Sequence, residues 1–150
     1  MRVKVPTANP EKTFLEKLFL LHEEFQRPDE KMRVNRLSRH LYDIYQLTRA
    51  GIEITAINNK ELYETIVVHR HKFSKVGGVD YNLHKPSTIN PIPNQKIINF
   101  WRMDYAKMRE EMIYENNPPS FDELIHNLFD LKSKLVSVDW KFDLFFPIQS

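Results

Sequence analysis

Cysteine is absent from this 150-residue chain, and glycine occurs only three times. Without thiols the chain can form neither a disulfide nor a thiolate zinc site, which fits a reducing compartment. Scarce glycine disfavours sandwiches and barrels, because those folds need many tight turns. Charged and apolar residues instead alternate over long stretches, and this pattern predicts a mainly α-helical fold.

Long apolar runs are also missing. No segment is long enough to span a bilayer, and residues 1–10 lack the apolar core of a signal peptide. Hydrophobic residues make up 41% of the chain and charged residues 28%, as in a globular domain with a single core. We therefore expect a cytoplasmic protein. The net charge of +2 is too small to indicate nucleic-acid binding by itself.

Several motifs that mark catalytic or metal sites do not occur. The sequence contains no glycine-rich phosphate loop, no G-x-S-x-G elbow, no H-E-x-x-H and no Asp-x-Asp pair. The six histidines do not indicate a metal site either. His69 and His71 are two positions apart on a predicted helix, so they do not face each other. We expect no metal site in this chain alone.

Apolar residues at helical spacing predict a bundle of about five helices, with any sheet minor. Their expected bounds are 11–26, 30–50, 60–74, 95–114 and 120–136. Asp29 and Gly51 are the expected N-cap and C′ residues of the second helix. Ser120 and Glu123 form a capping box that opens the fifth.

The remaining segments lie before, between and after these helices. Residues 1–10 are predicted to form an extended lead-in to the helical domain, 11–136. The connection 79–93 contains three prolines and predicts an ordered loop without regular structure. The tail, 137–150, is too aromatic to be left in solvent, so we expect it to pack on the domain. Its large aromatic residues are Trp140, Phe142, Phe145 and Phe146.

Charged residues border the apolar faces of the first two helices. On the second helix, Arg36, His40 and Asp43 fall in one narrow stripe with Arg39 beside it. This stripe either lines a cleft or is a surface network in which Arg39 pairs with Asp43, worth a few tenths of a kcal/mol. On the first helix, Lys17 either extends to water or directs its ammonium at a phosphate between the helices. The spacing leaves these alternatives open.

Three stretches together resemble one protein family. They are TFLEKL at 13–18, RLSRHLYDIYQL at 36–47, and the segment 104–124, which contains DYAKM, EMIY and PSFDEL. In this order and spacing they resemble the second half of the AbiEii/AbiGii-type nucleotidyltransferases, toxins of type IV toxin–antitoxin and abortive-infection systems. The resemblance extends over about 6–136, and its most specific element is R-x-x-R-H-x-Y-D-x-x-x-L.

The resemblance implies the C-terminal part of a DNA polymerase β-like nucleotidyltransferase. In this family the first half carries a Gly-Ser turn and an Asp-x-Asp pair that bind Mg²⁺. The second half supplies a catalytic lysine and aspartate, which match Lys17 and Asp43. Arg36, Arg39 and His40 would bind phosphate or RNA nearby. Family members use nucleoside triphosphates, and some add nucleotides to the acceptor end of tRNA.

The chain departs from this pattern because neither a Gly-Ser turn nor an Asp-x-Asp pair precedes Thr13. We therefore expect Mg²⁺ and a nucleoside triphosphate to bind only in a complete enzyme, and the chain alone to be inactive. The expected partners are the missing N-terminal half, tRNA and a cognate antitoxin, but no membrane. One alternative is a non-catalytic helical module that binds tRNA, an antitoxin or a partner subunit. Another is a structural interaction domain without a nucleic-acid role.

Overall fold

The computed structural model describes residues 9–27, 37–73, 75–77, 79–111 and 118–147. Within these ranges the fold is mainly helical and contains no strand, which confirms the predicted fold class. The α-helices are α1 (Pro10–Glu24), α2 (Ser38–Arg49), α3 (Ile52–Ile57), α4 (Lys60–Phe73), α5 (Ile98–Glu111) and α6 (Phe121–Val136). A 3₁₀ helix spans Tyr81–His84.

Local sequence signals account for several of the helix ends. The side chain of Asn9 accepts a hydrogen bond from the backbone N–H of Lys12 at 3.0 Å, so α1 begins at Pro10. The predicted capping box of Ser120 and Glu123 opens α6. The predicted start of the second helix, with Asp29 as its cap, lies outside the described residues.

Helix α3 and the 3₁₀ helix do not follow from the sequence pattern. Gly51 ends α2 in the left-handed conformation, with φ of 81°, as its predicted C′ role requires. The chain then enters α3 directly, and six residues are too few to show a helical period. The loop 79–93 was expected to lack regular structure. Its 3₁₀ turn begins where the Asp80 side chain accepts from the N–H of Asn82 at 2.9 Å.

The core is built around α1. Its apolar side chains at Phe14, Leu15, Leu18, Phe19 and Leu21 are all fully buried. Helices α2, α3 and α4 each pack on α1, while α6 packs on α2, α3 and α5. Full burial of each such side chain contributes about 1.5–3 kcal/mol. Packing on several sides therefore fixes the position of α1, including the charged residues at the edge of its apolar face.

The described part of the tail lies against the domain with a two-residue alternation. Trp140, Phe142, Leu144 and Phe146 are half-buried against the core, and the residues between them are exposed. Phe145 is 76% exposed, whereas the other three aromatic residues of the tail lie against the core. Successive side chains of an extended segment point to opposite sides, and Phe145 falls on the solvent side.

Candidate functional site

The structure brings Lys17 and Asp43 together where α1 and α2 meet. Lys17 Nζ lies 3.1 Å from Asp43 Oδ2 and 3.3 Å from His40 Nδ1. The Lys17 side chain is 23% exposed and that of Asp43 28%. The pair is therefore partly shielded by the fold but remains accessible to a ligand.

The packing of the two helices explains this meeting. Lys17 directly precedes the buried Leu18 on α1, and Asp43 directly precedes the buried Ile44 on α2. Since α1 and α2 pack through these apolar residues, the side chains at the border of each apolar face come next to one another. His40 lies three residues before Asp43, on the same side of α2, and so reaches the same ammonium.

The other two predicted site residues are not part of this contact. Arg39 lies on α2 and is exposed. Asp43 forms its ion pair with Lys17 and not with Arg39, so the surface pair considered from the sequence is not what the structure contains. Arg36 lies outside the described residues.

The beginning of α2 is held by a residue distant in sequence, which no motif assigns to the site. Asp104 of α5 accepts hydrogen bonds through Oδ2 from the backbone N–H of Ser38 at 3.1 Å and from its hydroxyl at 2.6 Å. A carboxylate at this end of a helix also interacts favourably with the helix dipole. Ser38 and Asp104 are 66 positions apart, so no local spacing could have revealed the contact.

The chemistry of the Lys17 site is that of a partly buried cation with two acceptors. The ammonium donates to the Asp43 carboxylate and to Nδ1 of His40, which must be unprotonated at that nitrogen to accept. A lysine ammonium is a compact charge with three donors, suited to a phosphate oxygen. An incoming phosphate would compete with Asp43 for Lys17.

The described residues do not form a two-metal centre. Nowhere in the ranges that the structure describes do three His, Asp or Glu side chains lie close enough to hold a metal ion. The Asp43 carboxylate of the site faces an ammonium at 3.1 Å. At this contact the charge of Asp43 is therefore paired with that of Lys17.

A second polar cluster is buried on another side of α1. Glu23 receives two hydrogen bonds from Arg70, at 2.8 and 2.7 Å, and lies 2.8 Å from His84 Nε2. Burial alone would raise the pKa of Glu23, but hydrogen bonds and charges from Arg70 and His84 outweigh it and lower the pKa. Since the cluster joins α1, α4 and the loop and is almost fully covered, its role is structural.

A family model described as "Nucleotidyl transferase AbiEii toxin, Type IV TA system" matches residues 2–127. The match covers most of the chain and includes Lys17, Asp43 and Asp104. No curated protein and no solved structure gives a match. Among the helices of the described ranges, none combines the length and the apolar character needed to cross a membrane.

Proposed function

Because the chain belongs to the AbiEii family of nucleotidyl transferase toxins, we propose that it is the helical, substrate-binding half of an enzyme that modifies RNA. This enzyme transfers a nucleoside monophosphate from a nucleoside triphosphate to RNA, with tRNA as the proposed acceptor. The observation that carries the proposal is the 3.1 Å contact between Lys17 and Asp43. It supports a role in holding the triphosphate.

Lys17 would act on the leaving group. In nucleotidyl transfer the acceptor hydroxyl loses its proton to solvent as its oxygen bonds to the α-phosphorus, the bond from this phosphorus to the β-bridging oxygen breaks, and pyrophosphate leaves. Negative charge grows on the pyrophosphate as that bond breaks. An ammonium already fixed beside it stabilises this charge without rearranging, which is why a preorganised cation accelerates the reaction.

Asp43 and the neighbouring basic residues would have supporting roles. Asp43 holds Lys17 in place before substrate binds, and it can orient the attacking hydroxyl once the triphosphate has engaged the ammonium. His40 also touches Lys17, so it limits the positions of that ammonium. Arg39 is exposed beside this site, and Arg36 precedes it by three positions in the sequence, so both are candidates for the RNA backbone.

The magnesium-binding carboxylates of the complete enzyme would come from a second, N-terminal half. The sequence has no Asp-x-Asp pair, and the described side chains do not fit a two-metal centre. We therefore expect this chain alone to be inactive. Its proposed partners are that half, the acceptor RNA and a cognate antitoxin, since the family belongs to type IV toxin–antitoxin systems.

The test is incorporation of labelled nucleotide into total tRNA, by this chain alone and by the chain combined with an N-terminal half that carries Gly-Ser and Asp-x-Asp. We expect transfer only from the combination. In the combination, Lys17→Ala should lower the rate on the order of 100-fold or more, the usual effect of removing one preorganised charge interaction. Asp43→Asn, which is nearly isosteric, should lose comparable activity.

Lys12→Ala is the matched control, because Lys12 lies on the same helix but pairs with Glu16 near the surface. Circular dichroism should show that all variants stay folded. Robust transfer by the isolated chain would contradict the half-enzyme proposal. Full activity in both site variants would make Lys17 and Asp43 ordinary surface residues, and salt-sensitive tRNA binding without transfer would favour a non-catalytic binding module.

A further inference from the structure

A groove lies where the loop after the 3₁₀ helix meets the end of α6 and the tail. The volume of this groove is about 360 Å³, at the lower end of the range of about 300–1,000 Å³ found for small-ligand pockets. Trp140 and Phe142 form an aromatic wall, while Lys85, Ser87 and Lys141 supply its polar groups. The space is enough for one base with its sugar, but not for a helix.

The aromatic wall is fixed by contacts within the fold. The indole N–H of Trp140 donates to the carbonyl oxygen of Ile57 at 2.9 Å, and its ring packs edge-on against Tyr63 with 5.0 Å between centroids. Phe142 contacts the same tyrosine at 6.1 Å. Both aromatic residues remain partly exposed, so a planar ligand can reach them. Because their contacts with the fold already hold them in place, binding does not have to order them.

The lysines of this region differ in whether they form a close ion pair. Lys60 pairs with Asp143, and Lys134 pairs with Glu53 at 2.7 Å. Lys85 and Lys141 are exposed, and neither lies within 4.0 Å of a carboxylate oxygen of the described residues. The pKa of Asp143 is lowered by its hydrogen bond to Lys60 and further by the charge of Lys141, so the carboxylate near Lys141 is already bound by Lys60. Two exposed ammonium groups next to an aromatic wall match the two parts of a nucleotide.

We propose that this groove binds a nucleoside phosphate unit, with the base stacked on Trp140 and the phosphates held by Lys85 and Lys141. Base stacking on an aromatic side chain combined with backbone neutralisation by lysines is how proteins bind single strands without sequence preference. The choice of RNA as the source of this unit rests on the proposed function. The aromatic wall lies beyond the family-matched residues 2–127, and no lining residue belongs to the Lys17 site.

Tryptophan fluorescence of the full chain tests this proposal directly. Trp101 is fully buried, so quenching by a ligand reports on Trp140. The probes are a six-nucleotide oligoadenylate, AMP and inorganic pyrophosphate. We expect the oligonucleotide to quench. Quenching by AMP with the same lysine dependence would identify a free nucleotide as a ligand too, while quenching by the oligonucleotide alone would identify a strand site. Pyrophosphate has no base and should not quench.

The decisive variant is Lys85→Ala with Lys141→Ala, both exposed positions whose change leaves the core intact. We expect the Kd for the oligonucleotide to rise about tenfold. The slope of log affinity against log salt should fall by about 1.4, because each phosphate neutralised on a single strand contributes about 0.7. Lys107→Ala, an exposed lysine of α5 outside the groove, should change neither quantity.

Trp140→Leu should abolish the quenching and weaken binding, with circular dichroism as the control for folding. Three results would overturn the proposal: wild-type affinity in the double lysine variant, binding of the oligonucleotide without quenching, or no binding at all. Equal quenching by pyrophosphate and AMP would overturn the stacking of a base. The assay needs no N-terminal half and no transfer, so its failure leaves the transferase proposal standing.

Discussion

His22 and His84 are buried side by side, with 4.7 Å between their ring centroids. Burial, with a smaller effect from His84, lowers the pKa of His22 from 6.5 to about 3. Burial also lowers the pKa of His84, against the opposing effect of its hydrogen bond to Glu23. Both imidazoles are therefore neutral at pH 7, and Nδ1 of His22 is free to accept the backbone N–H of Asn90 at 2.9 Å.

This arrangement makes stability depend on pH in a defined direction. A histidine whose pKa is lower in the folded state binds fewer protons there than in the unfolded chain. The stabilisation from neutral His22 is therefore complete above pH 6.5 and is lost as the pH falls from 6.5 towards 3. We expect the free energy of unfolding, measured in urea, to fall by about 1.4 kcal/mol per pH unit in that window because of His22, and the lowered pKa of His84 acts in the same direction.

His22→Gln should flatten this pH dependence, although it costs stability at pH 7 through lost packing. His126→Gln is the matched control, because His126 is 79% exposed on α6. It should leave the dependence unchanged. Equal unfolding free energies at pH 7 and pH 5 in the wild type would show that these histidines do not control acid stability.

At the scale of elements, a contact from α5 holds the beginning of α2. Asp104 accepts from both the backbone N–H and the hydroxyl of Ser38, which is fully buried. Hydrogen bonds to a charged group contribute about 1.5–3 kcal/mol, and an unsatisfied buried donor costs a similar amount. Since His40 and Asp43 follow within the next two turns, a shift at Ser38 would also move them.

Asp104→Ala should therefore lower the free energy of unfolding by about 2 kcal/mol and speed hydrogen exchange at the first amides of α2. Asp104→Asn, which keeps one acceptor oxygen, should have a smaller effect. Asp122→Ala is the control, because its pair with Arg102 lies at the surface and contributes under about 1 kcal/mol. Unchanged exchange at Ser38 and Arg39 in Asp104→Ala would contradict this role.

At the scale of the whole molecule, the tail joins the end of the chain to its middle. Trp140 and Phe142 pack against Tyr63 of α4, and the backbone N–H of Phe146 donates to the Asn82 side chain at 2.6 Å. These contacts bridge 64 to 79 residues of sequence. The tail is therefore part of the domain's packing and forms one wall of the groove proposed above.

Two phenylalanines of the tail give a matched test of this packing. Phe142→Ala removes a half-buried ring that contacts Tyr63, so it should lower the free energy of unfolding by about 1–3 kcal/mol. Phe145→Ala, three positions further on, removes a ring that is 76% exposed, so it should change that energy by less than about 0.5 kcal/mol. Urea unfolding measures both free energies. Equal losses would contradict the alternation of half-buried and exposed side chains along the tail.

The sequence by itself determines those features that depend on residues a few positions apart. The helical periods, the left-handed Gly51 and the capping box of Ser120 and Glu123 are all local, and all three are present in the structure. The family could be assigned from the sequence because its motifs are short strings in a fixed order, and the family model confirms the assignment. The border positions of Lys17 and Asp43 also follow from helical periodicity.

Tertiary structure alone decided which of these residues meet. Whether Asp43 pairs with Arg39 or with Lys17 depends on how α1 packs on α2, and both choices fitted the spacing. The contact of Asp104 with Ser38 and the cluster around Glu23 join residues 47 to 66 positions apart. Such contacts form because packing buries polar groups that must then find partners, and no local pattern encodes which partner the fold brings near.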